Sequence, residues 1–187
     1  VRGGAGLTDA SNGHSEKRMH LHPANTPADI RDFESLCREY ATSLEPLIGV
    51  SLAHQGFEEE MRTLPGKYTP PAGRIILARD SLDPSIAIGC VALRPLQELS
   101  TPSIRVCEMK RMFVRPTARG RGLGIMLGES IVAAAREMGY ATMKLDTDCT
   151  MAAAIATYTR LGFTPCAPYN TDPCANTLWF DLDLTNP

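Results

Sequence analysis

The chain lacks the devices of several function classes. No apolar run approaches the ~20 residues of a membrane-spanning helix, so no partnership with a membrane is expected. The six cysteines include no C-x-x-C pair and the four histidines lie scattered, which argues against a zinc or other metal centre. Cys37, Cys90, Cys107, Cys149, Cys166 and Cys174 read instead as reduced thiols of a cytoplasmic protein. A formal net charge of only −2 over 187 residues, without a basic stripe, gives no reason to expect nucleic acid as a partner. The opening VRGGAGLTDASNGHSEKR is polar and glycine-rich and has no apolar signal core, so residues 1–18 read as a flexible tail or cloning remnant. The rest, 43% hydrophobic and 21% charged over the whole chain, is ordinary globular sequence, and residues 19–187 are expected to form one domain without repeats.

What is present is an alternation of strand and helix patterns. Lys17 to His22 reads as a short strand. Thr26-Pro27 offers an N-cap with proline at the first helical position, and Ile30, Phe33, Leu36, Cys37 and Tyr40 recur at helical spacing to about Leu44, before Pro46 and Gly49. A shorter helix is expected over Phe57 to Leu64. Strands follow at Arg74 to Asp80, Ser85 to Leu93 and Arg105 to Val114, and a helix at Leu123 to Met138 ends at Gly139. A strand over Ala141 to Thr147, a helix over Cys149 to Leu161, and strands at Phe163 to Tyr169 and Leu178 to Leu184 complete an α/β domain.

The most informative stretch is residues 112–127, MFVRPTARGRGLGIML, in which an apolar strand passes a proline and runs through Arg-Gly-Arg-Gly-Leu-Gly into helical sequence. That order builds an anion site. Gly120, Gly122 and Gly124 permit close backbone approach, the following helix directs unpaired N–H groups at the ligand, and Arg119 and Arg121 add fixed charge. Lys110, Arg111 and Arg115 are expected to surround the same loop, which suits a compact anionic cofactor better than a polymer. A Walker loop is excluded because Gly124 is followed by Ile125 and Met126 rather than Lys-Ser/Thr. A dinucleotide fingerprint is excluded because the third glycine comes one position early and the turn follows several strands.

The pattern Arg119-x-x-Gly122-x-Gly124 resembles the Q/R-x-x-G-x-G/A signature of the GNAT superfamily of acetyl-CoA-dependent N-acetyltransferases, and Tyr158-Thr159-Arg160-Leu161-Gly162-Phe163 resembles that family's Tyr-x-x-x-Gly-Phe ending. The resemblance runs from about Met19 to Leu184. It implies a mixed, largely antiparallel twisted sheet of about six to seven strands flanked by about four helices. It also implies acetyl-CoA as co-substrate and no metal. The residues implied to hold the cofactor are Met112, Phe113 and Val114, on a bulged strand whose backbone meets the acyl carbonyl and pantetheine arm, together with Arg119, Gly120, Arg121, Gly122, Leu123 and Gly124 around the pyrophosphate. One position departs from the family: Met151 stands where members often carry asparagine.

Acyl transfer to an amine needs a neutral amine, a polarised carbonyl and a stabilised thiolate. The resemblance assigns the leaving sulfur to the Tyr158 phenol as hydrogen-bond donor or general acid. Glu108 is the candidate base, eleven residues before Arg119 at the position where the histone acetyltransferase branch carries its glutamate. Period-two alternation would put its carboxylate on the same face as Met112. Asp146 and Asp148, at a strand end before a helix, read as caps. Tyr169-Asn170 and the loop from Pro165 to Asn176 are candidates for the acceptor pocket wall.

The expected activity is therefore N-acetylation of a small polar amine in a ternary complex. The alternatives are a protein or peptide amine as acceptor, or a non-catalytic acyl-CoA-binding or assembly module. A homodimer is compatible with all three.

Overall fold

The computed structural model describes residues 19–49, 52–171 and 174–185; the tail over 1–18 lies outside them. Among the described residues four α-helices and seven strands follow in the order β1 (His20–Pro23), α1 (Pro27–Ile48), α2 (Phe57–Arg62), β2 (Arg74–Arg79), β3 (Ala87–Pro95), β4 (Val106–Val114), α3 (Leu123–Glu137), β5 (Thr142–Asp148), α4 (Ala152–Arg160), β6 (Thr164–Pro165) and β7 (Thr177–Asp183). The strands form one open sheet in the order β1-β2-β3-β4-β5-β7-β6. Every neighbouring pair is antiparallel except β4 with β5. The mixed sheet and four flanking helices agree with the expected fold.

Each sheet face has its own core. Helix α1 begins where Thr26 Oγ1 accepts from the Asp29 N–H at 3.1 Å and Asp29 Oδ2 accepts from the Thr26 N–H at 3.0 Å, a reciprocal cap with Pro27 at the first position. Its apolar stripe of Phe33, Leu36, Cys37 and Leu44 is buried on one face against Tyr68, Leu77, Ala92 and Phe113. Helix α3 covers the other face, burying Leu123, Leu127 and Ile131 among Val91, Leu93, Met109, Met143 and Leu145. Complete burial of each such leucine or isoleucine contributes about 2 kcal/mol.

Two local differences from the sequence reading have physical causes. Helix α1 continues through Pro46 to Ile48 and ends at Gly49 in the left-handed region (φ 67°), whose N–H reaches Glu45 O at 2.9 Å. Proline so near the C-terminus removes one N–H and spares the turns before it. Strand β6 shrinks to Thr164–Pro165, because Pro165 has no N–H for a ladder and Pro168 follows. Among the described residues β1 begins at His20; the expected start at Lys17 lies outside them.

Candidate active site

Strands β4 and β5 part company inside the sheet. Their parallel ladder holds three residue pairs, Val106 with Thr142, Cys107 with Met143 and Glu108 with Lys144, and then stops, although β5 goes on pairing with β7 as far as Asp148. Beyond Glu108, β4 therefore has no strand partner on its β5 side. On its other side the register with β3 slips by one residue, from Cys90 opposite Phe113 to Ala92 opposite Lys110. Arg111 and Met112 together oppose Val91, which defines a bulge. Arg111 sits at φ 57°, and among the described residues it is the non-glycine with positive φ.

The bulge corrects two expectations. Its extra residue breaks the alternation of faces, so Met112 packs on the α3 side while Glu108 pairs with Arg94 on the α1–α2 side, and the two do not share a face. It also turns both Lys110 and Arg111 towards α2 and the loop before β7 rather than towards the glycine loop. Arg111 forks onto Glu60, Nε to Oε1 at 2.8 Å and Nη2 to Oε2 at 3.2 Å, with Phe57 under its guanidinium. Lys110 Nζ lies 2.8 Å from Asp146, and Arg115 is taken by Glu39. Of the five basic residues assigned to the loop by sequence, Arg119 and Arg121 remain there.

Glu108 is fully buried, with Arg94 Nε 2.5 Å from Oε2 and Lys110 Nζ 3.3 Å from Oε1. The Tyr169 hydroxyl donates to Glu108 Oε1 at 2.8 Å and lies 3.5 Å from Asp146. Burial first, then the nearby Glu108 and Asp146 charges, push the Tyr169 phenol far above its ordinary range, so it stays protonated and donates. Neither aspartate caps α4, whose N-cap is Met151: Asp148 accepts from the Thr150 N–H and hydroxyl in the turn before the helix, and both Asp146 and Asp148 line the cleft.

Where β4 and β5 diverge, a cleft of about 100 Å³ opens, walled by Tyr40 and Leu44 of α1, Lys110 to Met112 of β4 and Met151, Ala154 and Tyr158 from the start and inner face of α4. Tyr158 is buried against Phe163, and its hydroxyl has no hydrogen-bond partner among the described residues. Burial is the main reason its phenol lies well above the usual value, so it is a neutral donor at physiological pH. Met151 occupies the N-cap of α4 without a side-chain capping bond and presents an apolar side chain to the cleft.

After β4, the chain makes a single helical turn at Pro116–Ala118 and reaches Arg119, whose Nε donates to Val114 O at 3.1 Å. Gly120 (φ 73°) and Gly122 (φ 77°) both lie in the left-handed region, with open space where a Cβ would stand. Gly122 is the N-cap of α3 and offers no side chain to its first-turn N–H groups. Arg121 Nη2 is enclosed and has no partner among the described residues. A pyrophosphate would answer both sets of unused donors.

The profile of the Acetyltransferase (GNAT) family matches residues 33–163. The chain belongs to the GNAT family of acetyltransferases. Its similarity extends to an uncharacterised N-acetyltransferase of Schizosaccharomyces pombe, 35% identical over 89% of this chain and 96% of that protein. A GNAT-family acetyltransferase from Staphylococcus aureus superposes with a TM-score of 0.69 at 14% identity, covering 89% of this chain and 99% of the other. A Salmonella typhimurium structure described with acetyl-CoA as its cofactor superposes at 0.60 with 18% identity, over 90% and 95% of the two chains. This GNAT protein is thus an acyltransferase of a family that uses acetyl-CoA. Among its described residues no helix is long and apolar enough to cross a membrane, and no cluster of three metal-ligating side chains occurs.

In this acetyltransferase the cleft gathers Tyr158, Met112 and Lys110, whereas Glu108 stands behind it and the glycine loop lies at the β4–α3 junction. Sequence reasoning missed Asp146 and the Arg94–Glu108 pair as parts of the site. A periodicity signal existed for Asp146, since Thr142, Lys144 and Asp146 alternate with buried Met143 and Leu145. None existed for Arg94, which meets Glu108 only through the β3–β4 register.

Proposed function

We propose that the protein transfers an acetyl group from acetyl-CoA directly to the amine of a small polar molecule within a ternary complex. The observation that carries this reading is the unpartnered Tyr158 hydroxyl in a cleft opened by the parting of β4 and β5. Acetyl-CoA supplies the activated thioester. The first-turn N–H groups of α3 from Leu123 and Gly124, the loop Arg119-Gly120-Arg121-Gly122 and the free edge of β4 at Met112, Phe113 and Val114 hold and orient it.

In the reaction a nitrogen–carbon bond forms, the carbon–sulfur bond breaks, one amine proton departs and the sulfur leaves as a thiolate. Tyr158 donates a hydrogen bond to that sulfur. Its phenol is a weaker acid than a thiol of pKa ~8.5, so stabilising the thiolate is easier than surrendering the proton. Glu108 is the base at one remove: Tyr169 takes the amine proton and passes its own to Glu108 Oε1, so the phenol never carries charge.

The test is thiol release against a panel of small amines, with acetyl-CoA binding followed by calorimetry. Tyr158→Phe should lower kcat by about 10²-fold and leave acetyl-CoA affinity within a factor of about three. Binding without amine-dependent release from any amine would refute the transferase reading.

A further inference from the structure

Next to the cleft lies a second pocket of about 170 Å³ that shares Gln55, Lys110, Arg111 and Asp146 with it. Its walls carry four cations, Lys67, Arg94, Lys110 and Arg111, against two carboxylates, Glu60 and Asp146, and a third carboxylate, Glu108, stands directly behind Arg94. Four positive charges against three negative ones leave one uncompensated. The surplus falls on Arg111 and Lys67, which share Glu60, whereas Lys110 and Arg94 are matched by Asp146 and Glu108, and the unused donors belong to Arg94. Arg111 is forked onto Glu60, Lys67 Nζ lies 2.6 Å from Glu60 Oε2, and Lys110 is shared by Asp146 and Glu108. Arg94 uses only its Nε, on Glu108, and its two terminal NH₂ groups bond to no described residue although the side chain is 27% exposed into the pocket.

We propose that Arg94 anchors a carboxylate of the acceptor, so that the substrate is a small amine bearing an acid group, its amine directed towards Asp146 and the cleft. The inference rests on the transferase reading and specifies its acceptor. Arginine with its Nε engaged presents its remaining NH₂ groups as a planar pair of donors, the geometry that matches a carboxylate. A dianionic phosphate fits less well, because the pocket offers one surplus charge and already holds Glu60 and Asp146. Glu108 and the β3–β4 ladder fix the guanidinium in place, so little side-chain freedom is lost on binding. The pocket is also below the about 300 Å³ at which drug-sized sites begin, which suits a compact zwitterion rather than a peptide.

Two measurements test this independently of each other. Calorimetric titration of the CoA-loaded protein with N-acetyl amino acids and their matched amides reads the anion site without turnover. The acids should bind at least about tenfold more tightly than the amides, one hydrogen-bonded charge being worth that factor. Arg94→Lys keeps a charge beside Glu108 but loses the paired donors; it should erase the acid preference and leave amide binding unchanged. In steady state the same variant should lower kcat/KM about tenfold more for free amino acids than for their matched amides, through a raised KM for the acids. Lys67→Met, at a partly exposed position whose partner Glu60 keeps Arg111, should weaken acid binding by a smaller factor and serves if Arg94 variants do not fold. Equal binding of acids and amides by wild type, or equal losses for both in Arg94→Lys, would overturn the proposal. Turnover of neutral amines without acid preference sinks the anion site alone, whereas acid-selective binding without turnover of any amine sinks the transferase reading and leaves the anion site standing.

Discussion

Replacing Glu60 by glutamine removes the charge that holds the bulge of β4 in place. Glu60 is 7% exposed, accepts from Arg111 at 2.8 and 3.2 Å and from Tyr68 at 2.8 Å, and pairs with Lys67 at 2.6 Å. Burial alone would raise its pKa, but the hydrogen bonds and charges of Arg111, and after it Lys67, outweigh burial and bring the pKa down from 4.5 to about 2. That depression corresponds to about 3 kcal/mol of stability. Breaking a buried pair from one side gives a similar figure, about 3–5 kcal/mol, because Arg111 is left buried with its charge uncompensated. Since the folded-state value is depressed, the contribution is fully present above pH 4.5 and is lost as pH falls through about 2. Urea unfolding of wild type and Glu60→Gln should therefore differ by about 3 kcal/mol at pH 7 and pH 5, and by less than half of that at pH 3, where wild type also begins to protonate the site. A difference below about 1 kcal/mol at pH 7, or one of equal size at pH 3, would refute the argument that this ion pair holds the bulge.

Two further outcomes are expected. Arg121→Met should weaken acetyl-CoA binding about tenfold by calorimetry while leaving Tm unchanged or slightly higher, because the substitution removes an enclosed donor that has no partner among the described residues. Gly73→Ala should lower Tm steeply or abolish soluble expression: a Cβ there would run into the Tyr68 carbonyl carbon and lie 2.7 Å from Lys67 O, backbone atoms that cannot turn aside, and overpacking costs about 1–3 kcal/mol even where neighbours can shift.

Local chemistry was legible in the sequence, and chemistry created by register was not. The Thr26-Pro27 cap, the stripe of α1 and the glycines of the β4–α3 turn are written within a few residues of where they act, and the structure has them there. The bulge was anticipated at Met112 to Val114 from resemblance and lies at Arg111–Met112, because an extra residue in one strand is defined only against its partner. Once inserted, it reassigns every later side chain to the opposite face. That is why Met112 and Glu108 part and why Lys110 and Arg111 face together. Asp146 resembled a cap because it lies close before a helix, yet it stays within β5 and meets Lys110 across the cleft, a contact set by how β4 and β5 lie side by side. Tyr169 and Arg94 reach Glu108 across 61 and 14 residues of chain, a convergence that no local pattern encodes.

The short ladder between β4 and β5 leaves an unpaired strand edge in the middle of the sheet. Such an edge is ordinarily an aggregation hazard, which proteins blunt with charge, proline or a cover. Here it needs none of those at its own position, since it opens into a cleft closed in by α1 and α4 rather than onto the outer rim. A second copy of the sheet cannot dock along it, whereas a single extended ligand can lie beside it and borrow its donors. The outer rims are ended differently: β6 is a two-residue stub finishing in proline, and β1 is four residues long and also ends in proline. One adhesive edge thus lies inside the fold, and the two outer ones are short and end in proline.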